Sequence, residues 1–311
     1  MAIIDTGLVL AGARSEFAGI YDAMDKAAAY RELAERIVST KDVENHRFLG
    51  SVPPMREWAS GRVAHGVRGE RYDITNLKYE LTMEIDRDEI SDDQTGQIMR
   101  RIRDIAPRAA QHKDLLIATL LESGATAGFI SYDGITYFND AHVSGDSGNQ
   151  DNTLTFNVAD AGNVPTVAEM KDIIKLGIQQ IMGFKDDKGQ PKFMMQSGMA
   201  VVVPVALWAV AVEALGATII NNTTNVLANM ARLIVMPHLT SAVNVYIRKT
   251  DEGVRPFIFQ DREPLEIKAA IAPTEQNSLE EFLKEKYYVG ARARYAMAYG
   301  DWAKCVRVVI N

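Results

Sequence analysis

Leu77-Lys78-Tyr79-Glu80-Leu81-Thr82-Met83-Glu84-Ile85-Asp86 is the stretch on which the architecture turns. Leu77, Tyr79, Leu81, Met83 and Ile85 share one face of an extended chain, and Lys78, Glu80, Thr82, Glu84 and Asp86 share the other. That is the period of a half-buried strand. Upstream, Tyr72 and Ile74 fall in the opposite phase, so the apolar face switches near Thr75-Asn76; a bulge or a change of partner surface produces such a slip. Before it, Arg62 to Arg71 is polar and basic with two glycines, and together with the strand it reads as a long hairpin. Downstream, Asp88 to Asp93 is an acidic entry to a helix, and Ile98, Ile102, Ile105, Ala109, Leu116 and Leu120 continue at helical spacing. From Ser91 to Ser123 this helix would span ~50 Å at 1.5 Å per residue, with Pro107 expected to kink or interrupt it and Gly124 to stop it.

Outward from this hairpin and helix the pattern is mixed. Asp22 to Val38 is rich in Ala, Glu, Lys and Arg and reads as a helix, behind a first dozen residues without periodicity. Gly50-Ser51-Val52-Pro53-Pro54 cannot continue a helix and marks a boundary. His142 to Asn152 is polar and glycine-rich, which predicts a surface excursion. Thr166 with Glu169 makes a capping-box start for a helix to about Met182. Ala200 to Val203 and Arg232 to Met236 read as buried strands, with a helix near Val205 to Leu215 between them. Val243–Arg248 and Val254–Gln260, flanking Asp251-Glu252-Gly253, predict a hairpin. Val289, Ala291, Ala293, Tyr295, Met297 and Tyr299 line one face of a last long strand. Helices and strands without regular strand-helix-strand order favour an α+β fold.

Composition bounds the function. The chain has 311 residues, 47% hydrophobic and 24% charged, enough for a substantial core. One cysteine, Cys305, excludes an internal disulfide and any thiol-based zinc cluster, and reads as a packed side chain. No segment reaches the ~18 apolar residues of a membrane span. A net charge of -7 argues against a sequence-specific DNA binder while leaving a DNA container open.

The chemistry-bearing motifs are few. Glycine-rich phosphate loops and the Gly-x-Ser-x-Gly elbow are absent from the sequence. His46, His65, His112, His142 and His238 are scattered singly, as surface or hydrogen-bonding residues rather than metal ligands. Asp86, Asp88, Glu89, Asp92 and Asp93 could hold a hard cation, but acids at a helix N-terminus more simply complement its dipole and cap its free N–H groups. Arg100, Arg101, Arg103 and Arg108, with Asp104 among them, read as a solvated helix face. The chain is therefore read as no enzyme, with no catalytic, metal or cofactor-binding residue.

Several blocks together resemble a known family: Phe48-Leu49-Gly50, Pro53-Pro54-Met55-Arg56-Glu57-Trp58, Gly61-Arg62, Tyr72-Asp73-Ile74-Thr75-Asn76 and Arg87-Asp88-Glu89-Ile90 with Asp92-Asp93. Leu120-Leu121-Glu122-Ser123-Gly124, Tyr132-Asp133-Gly134, Val201-Val202-Val203-Pro204 and Arg255 to Pro264 extend the likeness to nearly the whole chain after about Tyr30. The family is the major head subunit of Mu-like tailed bacteriophages. Two departures are that Val143 follows His142 where the family often has proline, and that the first 25 residues match poorly.

The resemblance implies the Hong Kong 97-type capsid fold: an N-terminal arm at 1–54, an extended loop at 55–86, a spine helix of the peripheral domain at 87–123, an axial domain at 124–262 and a return to the peripheral domain at 263–311. It implies self-assembly into an icosahedral shell of pentamers and hexamers enclosing phage genomic DNA without sequence specificity. The expected partners are a portal protein, a separate scaffolding protein and a decoration protein, in a virion assembled in the host cytoplasm. Only about 50 residues precede Pro53 and no heptad pattern runs through them, which is why scaffolding is expected from another chain. Contacts between subunits are expected at Trp58, Arg62, Arg68, Arg71, Asp88 and Asp92. No lysine lies between Lys41 and Lys78, so the loop cannot supply an amine for a covalent cross-link. The alternatives are a nanocompartment shell of the same fold and, in another class, a metal-assisted hydrolase using Asp88, Asp92, Asp93 and a histidine. Particle size separates shell from enzyme.

Overall fold

The computed structural model describes residues 6–49, 69–86, 97–193, 197–216, 219–220, 223–225, 227–228, 230–251, 255–270 and 286–311. In chain order they form α1 (Thr6–Ala27), α2 (Tyr30–Leu33), β1 (Ala34–Val38), β2 (Val43–Leu49), β3 (Gly69–Thr75), β4 (Leu77–Asp86) and α3 (Gln97–Ser123). There follow β5 (Thr153–Phe156), α4 (Val167–Gly183), β6 (Met199–Val203), α5 (Trp208–Gly216), β7 (Ile219–Ile220), β8 (Thr223–Thr224), β9 (Arg232–Val235), β10 (Asn244–Lys249), β11 (Phe257–Ala270), β12 (Lys286–Tyr299) and β13 (Cys305–Ile310). Two larger sheets organise them, one in the order β1-β11-β12-β4 and the other β5-β13-β10-β6-β9.

The alternating stretch Leu77–Asp86 is β4. It pairs antiparallel with β12 along its whole length, from Leu77 opposite Tyr295 to Asp86 opposite Lys286. β3, only one residue upstream, pairs instead with β2, from Gly69 opposite Leu49 to Thr75 opposite Val43. The phase slip is thus a change of partner, made at buried Asn76. The expected hairpin is corrected accordingly: its two strands are β2 and β3, and β4 is a sheet strand whose half-buried Tyr79 and Met83 lie in the layer beneath α3.

α3 runs without a break through Pro107 for 27 residues, about 40 Å at 1.5 Å per residue. Its buried side carries Ile105, Ala106, Ala110, Lys113, Ile117, Ala118 and Leu121. The helix ends at Ser123, just before Gly124 as expected, and a Cβ at Gly124 would lie 2.6 Å from Cδ2 of Phe138. The first helix differs from expectation: α1 occupies Thr6–Ala27, α2 is one turn, and Ala34–Val38 is extended. Pairing of β1 with β11, from Ala34 opposite Phe257 to Val38 opposite Asp261, overrides the local helical preference.

The main core draws on both sheets, joining Val201, Ile247 and Val308 of the second to Phe257, Phe259 and Tyr295 of the first. β6 is buried throughout, and α4 packs on β10 and β13, with Gly177 seated against Ile247. α4 starts at the expected capping box of Thr166 and Glu169. Residues 205–215 form a 3₁₀ turn followed by α5. The hairpin expected at 243–260 does not form, because β10 is flanked by β6 and β13 while β11 belongs to the other sheet. β12 lies beside α3, whereas β13 belongs to the five-stranded sheet. The segment from His142 to Asn152 is no surface excursion throughout: His142, Ser147, Gln150 and Asn152 are buried. The Asn152 amide donates to the carbonyl of Tyr137 at 2.7 Å, and the His142 ring stacks on Trp302 at 4.2 Å.

Candidate assembly surfaces

Two structural joints hold α1 and the β2–β3 hairpin against the four-stranded sheet and α3. The first fixes α1. Lys113 of α3 sends its ammonium to Asp25 of α1 at 2.5 Å, with the two side chains 9% and 7% exposed. The ring centroids of Phe259, Tyr30 and Tyr21 lie 4.9, 5.0 and 5.2 Å from the same ammonium, so a three-ring cage supplements the ion pair. Tyr30 donates its hydroxyl to Asp25 at 2.8 Å, and Arg31 pairs with the other carboxylate oxygen. Burial pushes the Asp25 carboxyl up, but hydrogen bonds from Lys113 and Arg31 outweigh it and hold it below the usual range. Apolar contact of Phe17 with Ile105, Ala106, Val289 and Ala291 completes this joint.

The second fixes the β2–β3 hairpin across the opposite face of the sheet. Gln260 of β11 lies with Oε1 2.8 Å from His46 Nε2, and its amide donates to Asn76 Oδ1 at 2.8 Å. Asn76 in turn donates to Ser39 Oγ and to the carbonyl of Lys41, each at 2.8 Å. Glu44 accepts from the backbone N–H groups of Thr40 and Lys41, which holds its carboxyl below the usual range. Beneath these bonds Ile74 packs with Ile258, Ala296 and Ala298. These bonds and contacts fix the hairpin base to the sheet.

The two joints were not singled out from the sequence. Asp25 and Lys113 are far apart in the chain, and no local spacing announces them. Gln260 and Asn76 are likewise far apart in the chain, and no local spacing announces them.

Among the expected contact residues, Arg71 is exposed on β3 and pairs with Asp73 of its own strand at 2.9 Å. Trp58, Arg62, Arg68, Asp88 and Asp92 lie outside the described residues, as does Asp93. Arg100, Arg101 and Arg108 are exposed on α3. His112 faces Tyr295 with Nδ1 2.6 Å from the hydroxyl, and burial pushes its pKa down. Cys305 is buried, and burial pushes its thiol up. No group of three or more His, Cys, Asp or Glu among the described residues is placed to hold a metal, and no described helix is long and apolar enough to cross a membrane.

One family model, the Mu-like prophage major head subunit gpT, matches residues 8–175 and 241–309 of this chain. The chain belongs to this family. It is 23% identical to the major capsid protein of Escherichia phage Mu over 295 residues, covering 95% of this chain and 70% of that protein. It is 32% identical to the Mu-like prophage FluMu major head subunit of Haemophilus influenzae over 127 residues, 40% of each.

Among solved structures, the bacteriophage PhiM1 mature capsid aligns with a TM-score of 0.58 at 11% identity, covering 91% of this chain and 86% of that one. The bacteriophage JBD30 capsid aligns at 0.53 and 15%, covering 90% and 64%. The chain thus spans just under two thirds of the JBD30 subunit. The fold of this head subunit is the α+β Hong Kong 97-type capsid fold.

Proposed function

We propose that the chain assembles with copies of itself, as pentamers and hexamers, into the icosahedral head shell around phage genomic DNA. The observation that carries this reading is the family match across both halves of the chain, on a fold in which α1 is joined to the long helix and the β2–β3 hairpin to the four-stranded sheet. Many weak contacts repeated about symmetry axes then supply the stability of the shell. In this reading the arm is α1 with the turn after it, and the extended loop is carried on β2 and β3. The peripheral part is α3 with the sheet β1-β11-β12-β4. The axial part is the five-stranded sheet with α4 and α5, and it includes β13. DNA is enclosed without sequence recognition, in keeping with the net charge of -7. A separate scaffolding protein, a portal and a decoration protein are the proposed partners, with assembly in the host cytoplasm and the virion as the final location. The chain carries no catalytic role in this account.

The experiment is to isolate particles containing this chain from a lysate, treat them with nuclease, and identify what they protect. Double-stranded DNA inside is the expected result. Particles filled with an enzyme instead of DNA would indicate a nanocompartment.

A further inference from the structure

We propose that the cavity between the α2–β1 segment and Arg255 binds a phosphate-class oxyanion, gripped by the guanidinium groups of Arg31, Arg36 and Arg255. The cavity measures about 400 Å³ and is lined by Tyr30, Arg31, Ala34, Glu35, Arg36 and Arg255. It sits where the two larger sheets are tied together: β1 pairs with β11 in one, and Glu32 of α2 pairs with Arg232 of β9 and Arg248 of β10 in the other.

Each of the three guanidiniums keeps N–H groups in reserve. Arg31 gives Nε and Nη2 to Asp25, and Arg36 gives Nε and Nη2 to one oxygen of Asp261. Neither Nη1 has a partner among the described residues. Arg255 gives Nη1 to the carbonyls of Arg31 and Ala34, and its Nε and Nη2 have no partner among the described residues. Those two carbonyls orient the guanidinium of Arg255 without neutralising it. The donors of a guanidinium form a rigid planar fork that matches the oxygens of a phosphate, which is why arginine suits this ligand better than lysine.

The charge balance points the same way. Arg31, Arg36, Lys113, Arg232, Arg248 and Arg255 have Asp25, Glu32, Glu35 and Asp261 between them, six cations to four carboxylates, in a chain whose net charge is -7. Asp25 serves both Arg31 and Lys113, and Glu32 serves both Arg232 and Arg248. The Arg248 side chain is 6% exposed, and its Nε is buried without a partner. Burial lowers its pKa to about 10 against the pull of Glu32, and neighbouring Arg255 and Arg232 add to the decrease. A bound anion offsets this excess of positive charge. Glu35 is the one carboxylate in the wall, so the wall stays positive. At ~30 Å³ for each water-sized group, the cavity takes on the order of ten such groups, the size of a diphosphate or a short run of nucleic-acid backbone rather than a lone ion.

The test needs only the unassembled full-length protein, so its outcome is independent of the shell reading. The protein is titrated with inorganic diphosphate by calorimetry and with a short labelled DNA duplex by fluorescence anisotropy, in chloride buffer of constant ionic strength. Saturable binding is expected, weakened about tenfold or more by Arg36→Gln through loss of a charge-assisted contact. Arg36 is 55% exposed and its ion pair with Asp261 is a surface one, so this variant should melt close to the unsubstituted chain in the absence of ligand. Arg255→Lys keeps the charge but not the planar fork and should also weaken binding, whereas Lys175→Gln on exposed α4 should not. Duplex that diphosphate displaces identifies the DNA backbone as the source of the phosphates; diphosphate binding without duplex binding identifies a soluble anion. If neither probe saturates, or if Arg36→Gln and Arg255→Lys bind both as tightly as the unsubstituted chain does, the inference is overturned.

Discussion

Lys113 on the long helix and Asp25 on the N-terminal helix form a buried ion pair, 2.5 Å apart, inside a cage of three aromatic rings. The pair joins a segment at the start of the chain to its longest helix and, through Phe259, to the sheet. An interior charge is tolerable only because its partner is also buried and hydrogen-bonded. The position of α1 therefore rests on this pair together with the apolar contacts of Phe17.

Replacing Lys113 by Met removes the cation and leaves the Asp25 carboxylate with Arg31 and the Tyr30 hydroxyl. Loss of one partner of a buried pair costs about 3–5 kcal/mol, and the surviving arginine points to the lower end. The expected result is a lower melting temperature with protease sensitivity appearing first in 6–27. Equal resistance of that segment in both proteins would show that the apolar contacts of Phe17 suffice.

The same pair sets an acid limit. Because the folded pKa of Asp25 is depressed, the unfolded chain takes up the proton first. The stabilisation is complete above the unfolded carboxylate value of about 4 and is lost as pH falls through the lower folded value. Thermal unfolding followed between pH 5 and 2 should show Asp25→Asn losing less stability on acidification than the unsubstituted chain. Parallel curves would contradict this.

Gln260 ties the hairpin to the sheet, so Gln260→Ala leaves Asn76 short of a donor in a buried site. A cost of about 1–3 kcal/mol is expected for the unsatisfied group. Hydrogen exchange should quicken in 43–49 and 69–75 and stay unchanged in α4 and β10. Uniform acceleration across the chain would mean that the hairpin base is not a separate joint.

Much of this architecture was legible in the sequence, and the misses have physical causes. The phase slip at Thr75-Asn76 and the capping box at Thr166 are local patterns and were readable as such. Ala34–Val38 was misread because its helical composition loses to pairing with β11, a partner more than 200 residues away. The pair of strands around Asp251-Glu252-Gly253 looked like a hairpin because the turn residues are local, whereas the buried faces that send β10 and β11 to different sheets are not. Loop composition hid His142, whose ring nitrogens lie against Asp133 at 2.5 Å and the Tyr137 carbonyl at 3.1 Å. Asp25 with Lys113 illustrates the general limit: a joint made by tertiary proximity leaves no spacing to read.

Close packing of α4 on β10 gives a further check. A Cβ at Gly177 would lie 2.5 Å from Cδ1 and 3.2 Å from Cβ of Ile247, a side chain stiff at χ1, so Gly177→Ala should cost about 1–3 kcal/mol. Gly183, at the end of the same helix, has open space around it. Gly183→Ala should be neutral or stabilising by up to about 1 kcal/mol in denaturant titration. Equal effects at the two positions would contradict the packing.

The central claim is that this chain is a shell-building subunit, and electron microscopy of the overproduced full-length protein, with sedimentation of the same sample, tests it most directly. The account predicts fast-sedimenting closed shells or curved walls built from five- and six-membered rings of a 34.4 kDa subunit. A sample that stays monomeric or stops at small oligomers at every concentration and salt, with or without a scaffolding protein, would contradict it.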